Sequence, residues 1–367
     1  MRFNRMPLEE WFDRYQYEID CDIGESGTKY QNLNALGIDL GNLDLRYGYH
    51  TGNPELRRLI SEQYESFSPD QIAVTTGSSE ANFAIIASLV DSSDHLVVEH
   101  PNYPSLYEVP RSLRLPHDRF RIVYEEQFKP NLQRLEQLIR PDTTLVVLTH
   151  PNNPTGSVVS EQMLREVVEL VESHDAYLLH DETYRELCFG KPPPPVAVLS
   201  DRAISMTTMS KAYGVPGIRI GWIAGPRQIV ESVRAVREQI TICNNMLGEA
   251  IALSVLNQRD AILKNVRLRV RRNFETLKQW MAQQELLEWV EPEGGVVAFP
   301  RLKNGADTEE LCRLLVTKYR TFTIPGYCFE MERHLRIGFG GDADELSEGL
   351  GRLRQAMNEC APQPRAQ

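Results

Sequence analysis

The sequence has 367 residues, of which 41% are hydrophobic and 25% are charged, and its formal net charge is −11. At about 150 residues per domain, this length predicts about two domains with a large buried core. The ordinary composition excludes collagen-like, disordered and disulfide-scaffold proteins. An acidic surface repels phosphate backbones, so we expect no nucleic-acid partner, while a local basic pocket for one phosphate or carboxylate stays compatible with it.

Cysteine usage and hydropathy bear on the compartment. The six cysteines are scattered and include no C-x-x-C pair. No stretch approaches the ~18 apolar residues of a membrane span, and the first residues contain no apolar run of the signal-peptide type. We therefore expect a cytoplasmic protein with free thiols and no membrane partner. The eight histidines show no zinc-type spacing, so no metal site is expected.

Between residues 70 and 225, short runs rich in Val, Ile and Leu alternate with helical patterns. These runs predict strands at residues 71–75, 95–98, 121–124, 144–148, 176–179, 203–206 and 219–224. Helices are expected between them at residues 79–89, 131–139 and 161–173. Strands that are apolar nearly throughout and alternate with helices predict an α/β fold, in which a mostly parallel sheet lies between helices.

After Gly225 the pattern becomes mainly helical, with helices predicted at residues 226–236, 248–256 and 261–284. Short strands at 295–299, 321–324 and 335–339 and a helix at 343–357 are expected to follow. We predict a large domain over residues 46–260 and a smaller α+β domain built from residues 1–45 with 261–367.

The most informative segment places Lys211 directly after a cluster of Thr and Ser at the end of a predicted strand. Hydroxyls and a guanidinium near one lysine suit a carbonyl compound that carries a phosphate, with Lys211 forming an imine and Thr208 and Arg219 holding the phosphate. A lysine at a strand end is more often a surface residue, but the spacing S-K-x₅-G-x-R-x-G argues against that interpretation.

With other motifs in the same order, this segment resembles the fold-type I, pyridoxal phosphate (PLP)-dependent enzymes of the class I/II aminotransferase superfamily. The resemblance runs from about Gly41 to Phe339. It implies PLP as the cofactor, a seven-stranded, mostly parallel sheet in the large domain, a smaller α+β domain, and a homodimer with shared active sites. Lys211 would be the catalytic lysine.

The resemblance also assigns cofactor contacts. A turn before a helix supplies N–H groups and a helix dipole that attract the phosphate, an aromatic ring would stack on the pyridine ring, and an Asn and a Tyr would bind its phenolic oxygen. The turn is Gly77, Ser78 and Ser79, the stacking ring is Tyr103, and the phenolic oxygen is bound by Asn153 and Tyr184. The phosphate would also be bound by Thr208 and Arg219, and by Tyr47 from across the dimer interface.

Two charged residues complete the implied site. Asp181 ends an apolar strand, where a carboxylate is costly unless it is paired. The resemblance pairs it with the protonated pyridine nitrogen, which makes the cofactor an electron sink. Arg336 matches the arginine that clamps the substrate α-carboxylate, a task suited to a planar guanidinium.

Within the superfamily, the sequence is most similar to the capreomycidine-synthase-like branch. The segments that carry this similarity are residues 7–12, 210–217, 294–301 and 324–326. The branch includes enzymes that dehydrate a hydroxylated arginine and close its guanidine onto the side chain. We therefore predict a cyclase (dehydratase) in specialised metabolism that acts on γ-hydroxyarginine, giving enduracididine, or next on β-hydroxyarginine, giving capreomycidine.

A guanidinium substrate requires acidic groups near the cofactor. The N-terminal segment offers five, of which we predict two as substrate contacts, Glu9 and Glu25. Ser26 and Gly27 occupy the place where family members line the substrate pocket. The other three acids are Glu10, Asp20 and Asp22.

Three other functions stay open at this point. An aminotransferase that exchanges an amine between an amino acid and a 2-oxo acid would use the same cofactor residues. A C–S lyase of the same fold is a second option. A non-catalytic regulator that senses an amino acid is disfavoured, because regulators of this type carry a DNA-binding region before the cofactor domain and here only residues 1–45 precede the first motif.

Overall fold

The computed structural model describes residues 2–305 and 307–360. Its helices are α1 (Pro7–Tyr15), α2 (Leu33–Leu36), α3 (Pro54–Ser61), α4 (Gly77–Leu89), α5 (Ser105–Leu113), α6 (Leu132–Glu136), α7 (Glu161–Ser173), α8 (Arg227–Glu238), α9 (Met246–Asn257), α10 (Arg259–Met281), α11 (Glu309–Thr317) and α12 (Ala343–Cys360). Its strands are β1 (Cys21–Asp22), β2 (Ile72–Thr75), β3 (His95–His100), β4 (His117–Arg121), β5 (Thr143–Thr149), β6 (Tyr177–Asp181), β7 (Ala203–Thr208), β8 (Gly221–Ala224), β9 (Leu287–Glu288), β10 (Val297–Ala298), β11 (Arg301–Leu302), β12 (Thr321–Phe322), β13 (Ile324–Pro325) and β14 (Leu335–Gly338). Within the described ranges, no helix is long and apolar enough to cross a membrane.

The centre of the molecule is a seven-stranded sheet in the order β2-β8-β7-β6-β5-β3-β4. Strand β8 runs antiparallel to both of its neighbours, and the remaining pairs are parallel. Successive residues of a strand enter different apolar clusters, as Val146 and Val147 of β5 do, because side chains alternate between the two faces. Both faces are therefore covered, which confirms the predicted α/β fold with a mostly parallel sheet.

The edge strand was predicted at the wrong place. The sequence pattern predicts a strand at residues 121–124, whereas β4 ends at Arg121 and Tyr124–Glu126 forms a 3₁₀ turn. An edge strand pairs on one side only, so it need not be apolar throughout, and Phe120 is the buried residue of β4. The apolar run at Ile122 and Val123 lies in the connection that follows the strand.

The N-terminal segment packs with the C-terminal part of the chain. β1 pairs in parallel with β12, and β14 lies between β13 and β10 in an antiparallel sheet. The indole N–H of Trp11 in α1 donates to the carbonyl of Thr323 over 2.8 Å. Helix α1 is thereby held above the carboxyl ends of the central strands.

The segment that follows β1 joins this small part to the central sheet. The N–H of Gly338 donates to the carbonyl of Ile23 over 2.8 Å, and the hydroxyl of Thr28 donates to the carbonyl of Lys211 over 2.7 Å. A Cβ atom on Gly338 would lie 2.0 Å from the carbonyl oxygen of Glu25, so the approach requires glycine. Residues 23–28 are therefore fixed beside Lys211.

Candidate active site

A cavity of about 480 Å³ opens where the parallel strands end, and the last residues of β5, β6 and β7 line it: Thr149, Asp181 and Thr208. This edge is where open α/β sheets bind ligands. Thirteen of the predicted site residues line it: Glu9, Glu25, Ser26, Ser78, Ser79, Tyr103, Asn153, Asp181, Tyr184, Thr208, Lys211, Arg219 and Arg336.

Three predicted residues do not line the cavity. Gly77 begins α4 with a φ of 75°, and a Cβ atom there would lie 2.4 Å from Nη2 of Arg219, so glycine makes room for that guanidinium. Gly27 is buried beside the carboxylate of Glu25, from which its Cβ position lies 3.2 Å. Tyr47 is 85% exposed, and its predicted contact with a second subunit stays a prediction.

One corner of the cavity, called the phosphate corner below, collects the residues predicted to bind the phosphate. Ser78 and Ser79 lie in the first turn of α4, where N–H groups and the helix dipole attract an anion. Nη1 of Arg219 lies 3.4 Å from the hydroxyl of Ser210, and that hydroxyl lies 3.0 Å from the hydroxyl of Thr208. Ser210 is not among the predicted site residues, although its position directly before Lys211 is a signal for it.

The carboxylate of Asp181 faces the cavity from the end of β6. It accepts a hydrogen bond from the N–H of Thr183 over 3.0 Å and, within the part of the chain that the structure describes, has no ion-pair partner. Burial raises the pKa of this carboxyl group. A buried carboxylate without a cation fits a ligand that brings one, such as a protonated ring nitrogen.

Lys211 and Glu25 form an ion pair inside the cavity, with Nζ donating to Oε1 over 2.9 Å. Burial works against both charges, but the carboxylate of Glu25 and the nearby Tyr184 outweigh it and raise the pKa of Lys211. For Glu25 burial is likewise outweighed by Lys211, so the pKa of its carboxyl group is lowered. Both groups are therefore charged in this arrangement.

Asp22 fixes the turn that presents Glu25. Its Oδ1 atom accepts hydrogen bonds from the N–H groups of Gly24 and Glu25, each over 2.8 Å. Asp22 therefore acts on the backbone, and among the described residues that line the cavity it does not appear. Of these two acids the sequence analysis predicts only Glu25 as a substrate contact, and only Glu25 lines the cavity.

Arg336 lies on β14 and is buried at the other side of the cavity. Nη1 donates to Oδ1 of Asn153 over 3.1 Å, and Nη2 donates to the carbonyl of Gly24 over 2.7 Å. Its Nε has no hydrogen-bond partner in the described chain, and burial lowers the pKa of this arginine. A buried guanidinium with only neutral partners is ready for a substrate carboxylate.

Two tyrosines form the walls between these charges. The hydroxyl of Tyr184 donates to the carbonyl of Ser26 over 2.9 Å, which ties the N-terminal segment to the end of β6. The hydroxyl of Tyr103 donates to Oε1 of Glu9 over 3.2 Å. Burial and the neighbouring Glu9 raise the pKa of Tyr103 to about 12, so the ring stays neutral and can cover a flat ligand.

Helix α1 lines the mouth of the cavity with one face. Four of its side chains, on adjacent turns of the helix, reach the cavity: Leu8, Glu9, Phe12 and Asp13, and Gln16 and Tyr17 follow directly after the helix. Asp13 was missed in the sequence analysis, although it lies one helical turn after Glu9. Two acids named there lie elsewhere, because Glu10 is 3.9 Å from the guanidinium of Arg5 and Asp20 pairs with Arg320 over 2.9 Å.

Comparisons with known proteins agree with this geometry. The model of the family Aminotransferase class I and II matches residues 29–353. The chain is 31% identical to a capreomycidine synthase of Streptomyces vinaceus, over 97% of this chain and 94% of that protein. It is 28% identical to a probable aspartate/prephenate aminotransferase of Thermus aquaticus, over 85% of this chain and 84% of that protein.

Solved structures give the same result. A PLP-dependent aminotransferase from Streptococcus suis superposes with a TM-score of 0.94 at 30% identity and covers 99% of this chain and 100% of its own. The PLP-dependent cyclase OrfR superposes with a TM-score of 0.90 at 28% identity and covers 98% of this chain and 99% of its own.

The residues present fit PLP, the cofactor of this family. The absence of a side chain at Gly77 leaves room for the guanidinium of Arg219 beside the predicted phosphate position. Asp181, which has no ion-pair partner in the described chain, suits the protonated ring nitrogen, and the amine of Lys211 suits a covalent bond to the aldehyde. PLP is therefore the cofactor of this protein. The family match, the fold and the cavity agree, and the chain belongs to the class I and II aminotransferase family.

Proposed function

We propose that this enzyme is a PLP-dependent cyclase that removes water from a hydroxylated L-arginine and closes the guanidine onto the side chain. γ-Hydroxyarginine is the favoured substrate, giving enduracididine, and β-hydroxyarginine, giving capreomycidine, is the next. The observation that carries the proposal is a wall of three carboxylates in the cavity, Glu9, Asp13 and Glu25, of which Glu9 has no cationic partner among the described residues. The similarity to a capreomycidine synthase and to the cyclase OrfR supports it.

The charges of the cavity support a cationic side chain on the substrate. Arg219 is assigned to the phosphate, Arg336 to the α-carboxylate and Asp181 to the ring nitrogen. Glu25 pairs with Lys211 and Asp13 pairs with Arg5, and none of the three acids has a partner in the cofactor or in the amino acid backbone of the substrate. An acidic side chain would be repelled by them, whereas a guanidinium would be matched by Glu9 and Glu25 as the sequence predicts.

The residues divide the reaction among themselves. PLP, when bound, supplies an electron sink that stabilises negative charge at the substrate Cα. Arg336 orients the α-carboxylate, Asp181 keeps the ring nitrogen charged, and Lys211 removes the Cα proton. Glu9 and Glu25 hold the guanidinium over the chain of carbons that it must attack.

The position of the hydroxyl decides the ring. With a γ-hydroxyl, Lys211 also removes a Cβ proton, and the hydroxyl leaves with a proton as water. A guanidine nitrogen then adds to Cγ and gives up a proton, and protons return to Cβ and to Cα, which gives a five-membered ring. With a β-hydroxyl, the hydroxyl leaves with a proton as water directly after removal of the Cα proton. A guanidine nitrogen then adds to Cβ and gives up a proton, and a proton returns to Cα, which gives a six-membered ring. Both balances remove one water and require no second substrate.

The test is mass spectrometry of the products formed from γ- and β-hydroxyarginine, each with and without a 2-oxo acid. We expect a product that is lighter by one water and that forms without any 2-oxo acid. The substrate that reacts identifies the ring size. Loss of the amine that occurs only with a 2-oxo acid would contradict the proposal.

An aminotransferase is the second candidate, because Arg336 can grip the carboxylates of an amino acid and a 2-oxo acid in turn. The similarity to the aminotransferase of Thermus aquaticus favours it. The same assay separates the two, since only the aminotransferase depends on the 2-oxo acid.

We also propose a homodimer in which Tyr47 reaches the cofactor phosphate of the other subunit. Support comes from exposed apolar side chains in the segments around it and around the start of α9: Leu45, Tyr47, Tyr49, Ile240, Ile242 and Leu247. Such a set favours an interface over a solvated surface. Sedimentation of the holoenzyme tests this, and a stable, active monomer would contradict it.

A further inference from the structure

The ion pair between Glu25 and Lys211 has a consequence for substrate selection. We propose that Glu25 keeps the free Lys211 amine protonated until the cationic side chain of the substrate takes over its carboxylate, and that Lys211 then loses this proton to water and becomes the base. Glu25 thereby couples recognition of the side chain to activation of the catalytic lysine. The inference rests on the cationic substrate of the proposed function.

The first support is geometric. Oε1 of Glu25 lies 2.9 Å from Nζ of Lys211, and the two side chains are 23% and 25% exposed, both toward the cavity. A guanidinium that enters between α1 and the sheet therefore meets a carboxylate that already carries a cation. Because two cations compete for one carboxylate, binding of the guanidinium weakens the attraction that holds the proton on Lys211.

The second support is that the backbone of Glu25 is fixed beside Lys211. Its N–H is held by Asp22, and its carbonyl oxygen lies against Gly338, where even a Cβ atom would come within 2.0 Å. The backbone therefore keeps the carboxylate within reach of Lys211 and of a cation that enters the cavity. Exchange of one cation for another is the available response.

The other charged and titratable neighbours do not substitute for Glu25. Tyr184 faces Lys211 from the end of β6 and is neutral, because burial raises its pKa. Arg336 faces it from β14 and opposes its positive charge. Tyr30 lies near both groups, and burial together with Glu25 raises its pKa to about 12. Glu25 is the group in hydrogen-bond contact with the amine.

The expected consequence is selectivity in the rate of proton removal. A substrate with a neutral side chain leaves the ion pair intact, so the free lysine stays an ammonium ion and removes the Cα proton slowly. An ordinary binding contact would change the KM for arginine and leave the rate at saturation alike for both side chains.

The experiment measures exchange of the Cα proton in D₂O by NMR, with the holoenzyme and saturating L-arginine or L-citrulline, which is neutral and nearly the same shape. We expect the wild type to exchange arginine at least about tenfold faster than citrulline. Glu25→Gln should raise the citrulline rate until the ratio approaches one. Glu10→Gln is the matched control, because Glu10 lies on α1 outside the cavity, and it should preserve the wild-type ratio.

A second readout needs no turnover. Competitive acetylation of the apoprotein over a pH series, followed by peptide mass spectrometry, gives the midpoint at which Lys211 becomes reactive. The midpoint should fall in Glu25→Gln, and in the wild type it should fall with L-arginine but not with L-citrulline. Glu25→Asp, which keeps the charge at a greater distance, should be intermediate and covers the case that Glu25→Gln does not fold.

Three results would overturn the inference. Glu25→Gln could leave the ratio of arginine to citrulline exchange unchanged, it could abolish exchange of both amino acids, or L-arginine could leave the acetylation midpoint of the wild type unchanged. The outcome is separate from that of the proposed function, because L-arginine has no hydroxyl to lose. Exchange that follows the expected pattern without any cyclic product from hydroxyarginine would retain the inference and reject the cyclase. A cyclic product with an unchanged ratio would do the reverse.

Discussion

Gly77 offers a test of the phosphate corner through a single methyl group. In Gly77→Ala, the residue keeps a φ of 75°, which costs an L-residue about 1–2 kcal/mol. Its Cβ atom would also lie 2.4 Å from Nη2 of Arg219, well inside van der Waals contact, so the guanidinium must move away. Loss of one charge-assisted hydrogen bond to the phosphate costs about 1.5–3 kcal/mol.

These magnitudes separate into two measurements. The backbone cost should lower the free energy of unfolding of the apoprotein by about 1–2 kcal/mol, measured by urea titration. The displaced guanidinium should weaken PLP binding by about 10- to 150-fold, measured from cofactor absorbance during equilibrium dialysis. Gly217→Ala is the matched control, because nothing lies within 4 Å of its Cβ position and it directly precedes the residues that lead to Arg219.

The reasoning has a clear point of failure. If Gly77→Ala binds PLP as tightly as the wild type, the corner does not depend on the placement of Arg219. The double variant Gly77→Ala/Arg219→Ala provides a further check, because both changes remove the same contact and their effects on PLP affinity should not add. Additive losses would assign Gly77 a role independent of Arg219.

Three further predictions follow from the site and its surroundings. Lys211→Ala should lower turnover by about 10²–10⁴-fold, because the variant lacks the group that moves the proton. Turnover is measured without added amine, and appreciable turnover would refute the role of Lys211. Arg336→Lys should raise the KM for the amino acid by about tenfold, because an ammonium ion cannot make the paired hydrogen bonds of a guanidinium; an unchanged KM would remove Arg336 from the substrate site. Burial lowers the pKa of His334 from 6.5 to about 4, so the unfolded state binds the extra proton first and stability should fall by up to about 3 kcal/mol as the pH drops from 6.5 to 4. Urea unfolding at several pH values measures this, and His334→Gln should flatten the fall; a slope equal to that of the wild type would show that His334 is not its source.

The sequence determined the parts of the fold that local patterns encode. A strand covered on both faces must be apolar nearly throughout, so runs such as the one at Val146 and Val147 identified the inner strands. The edge strand β4 pairs on one side only and need not be apolar throughout. The sequence pattern therefore predicted a strand at the apolar run that follows β4. Helix α5 contains Pro110, which breaks the pattern of a helix, and no helix was predicted there.

The site residues with a demanding chemical task were also predictable. Motif spacing identified Lys211, Asp181 and Arg219, and the structure brings them to one cavity. A lysine at a strand end is by itself more often a surface residue, so the spacing to Arg219 and the order of the motifs were needed to identify these residues.

The roles of the acids were decided by the tertiary structure alone. The N-terminal segment contains four acids that nearby sequence does not distinguish. Glu9 lies on the cavity face of α1, whereas Glu10 lies on the same helix outside the cavity. Asp22 holds a turn, and Glu25 pairs with Lys211. Glu25 and Lys211 are 186 residues apart, so their contact depends on how β1 and β14 place the N-terminal segment over the sheet. Periodicity records whether a residue is buried, and only the packing of distant segments decides which charge it meets.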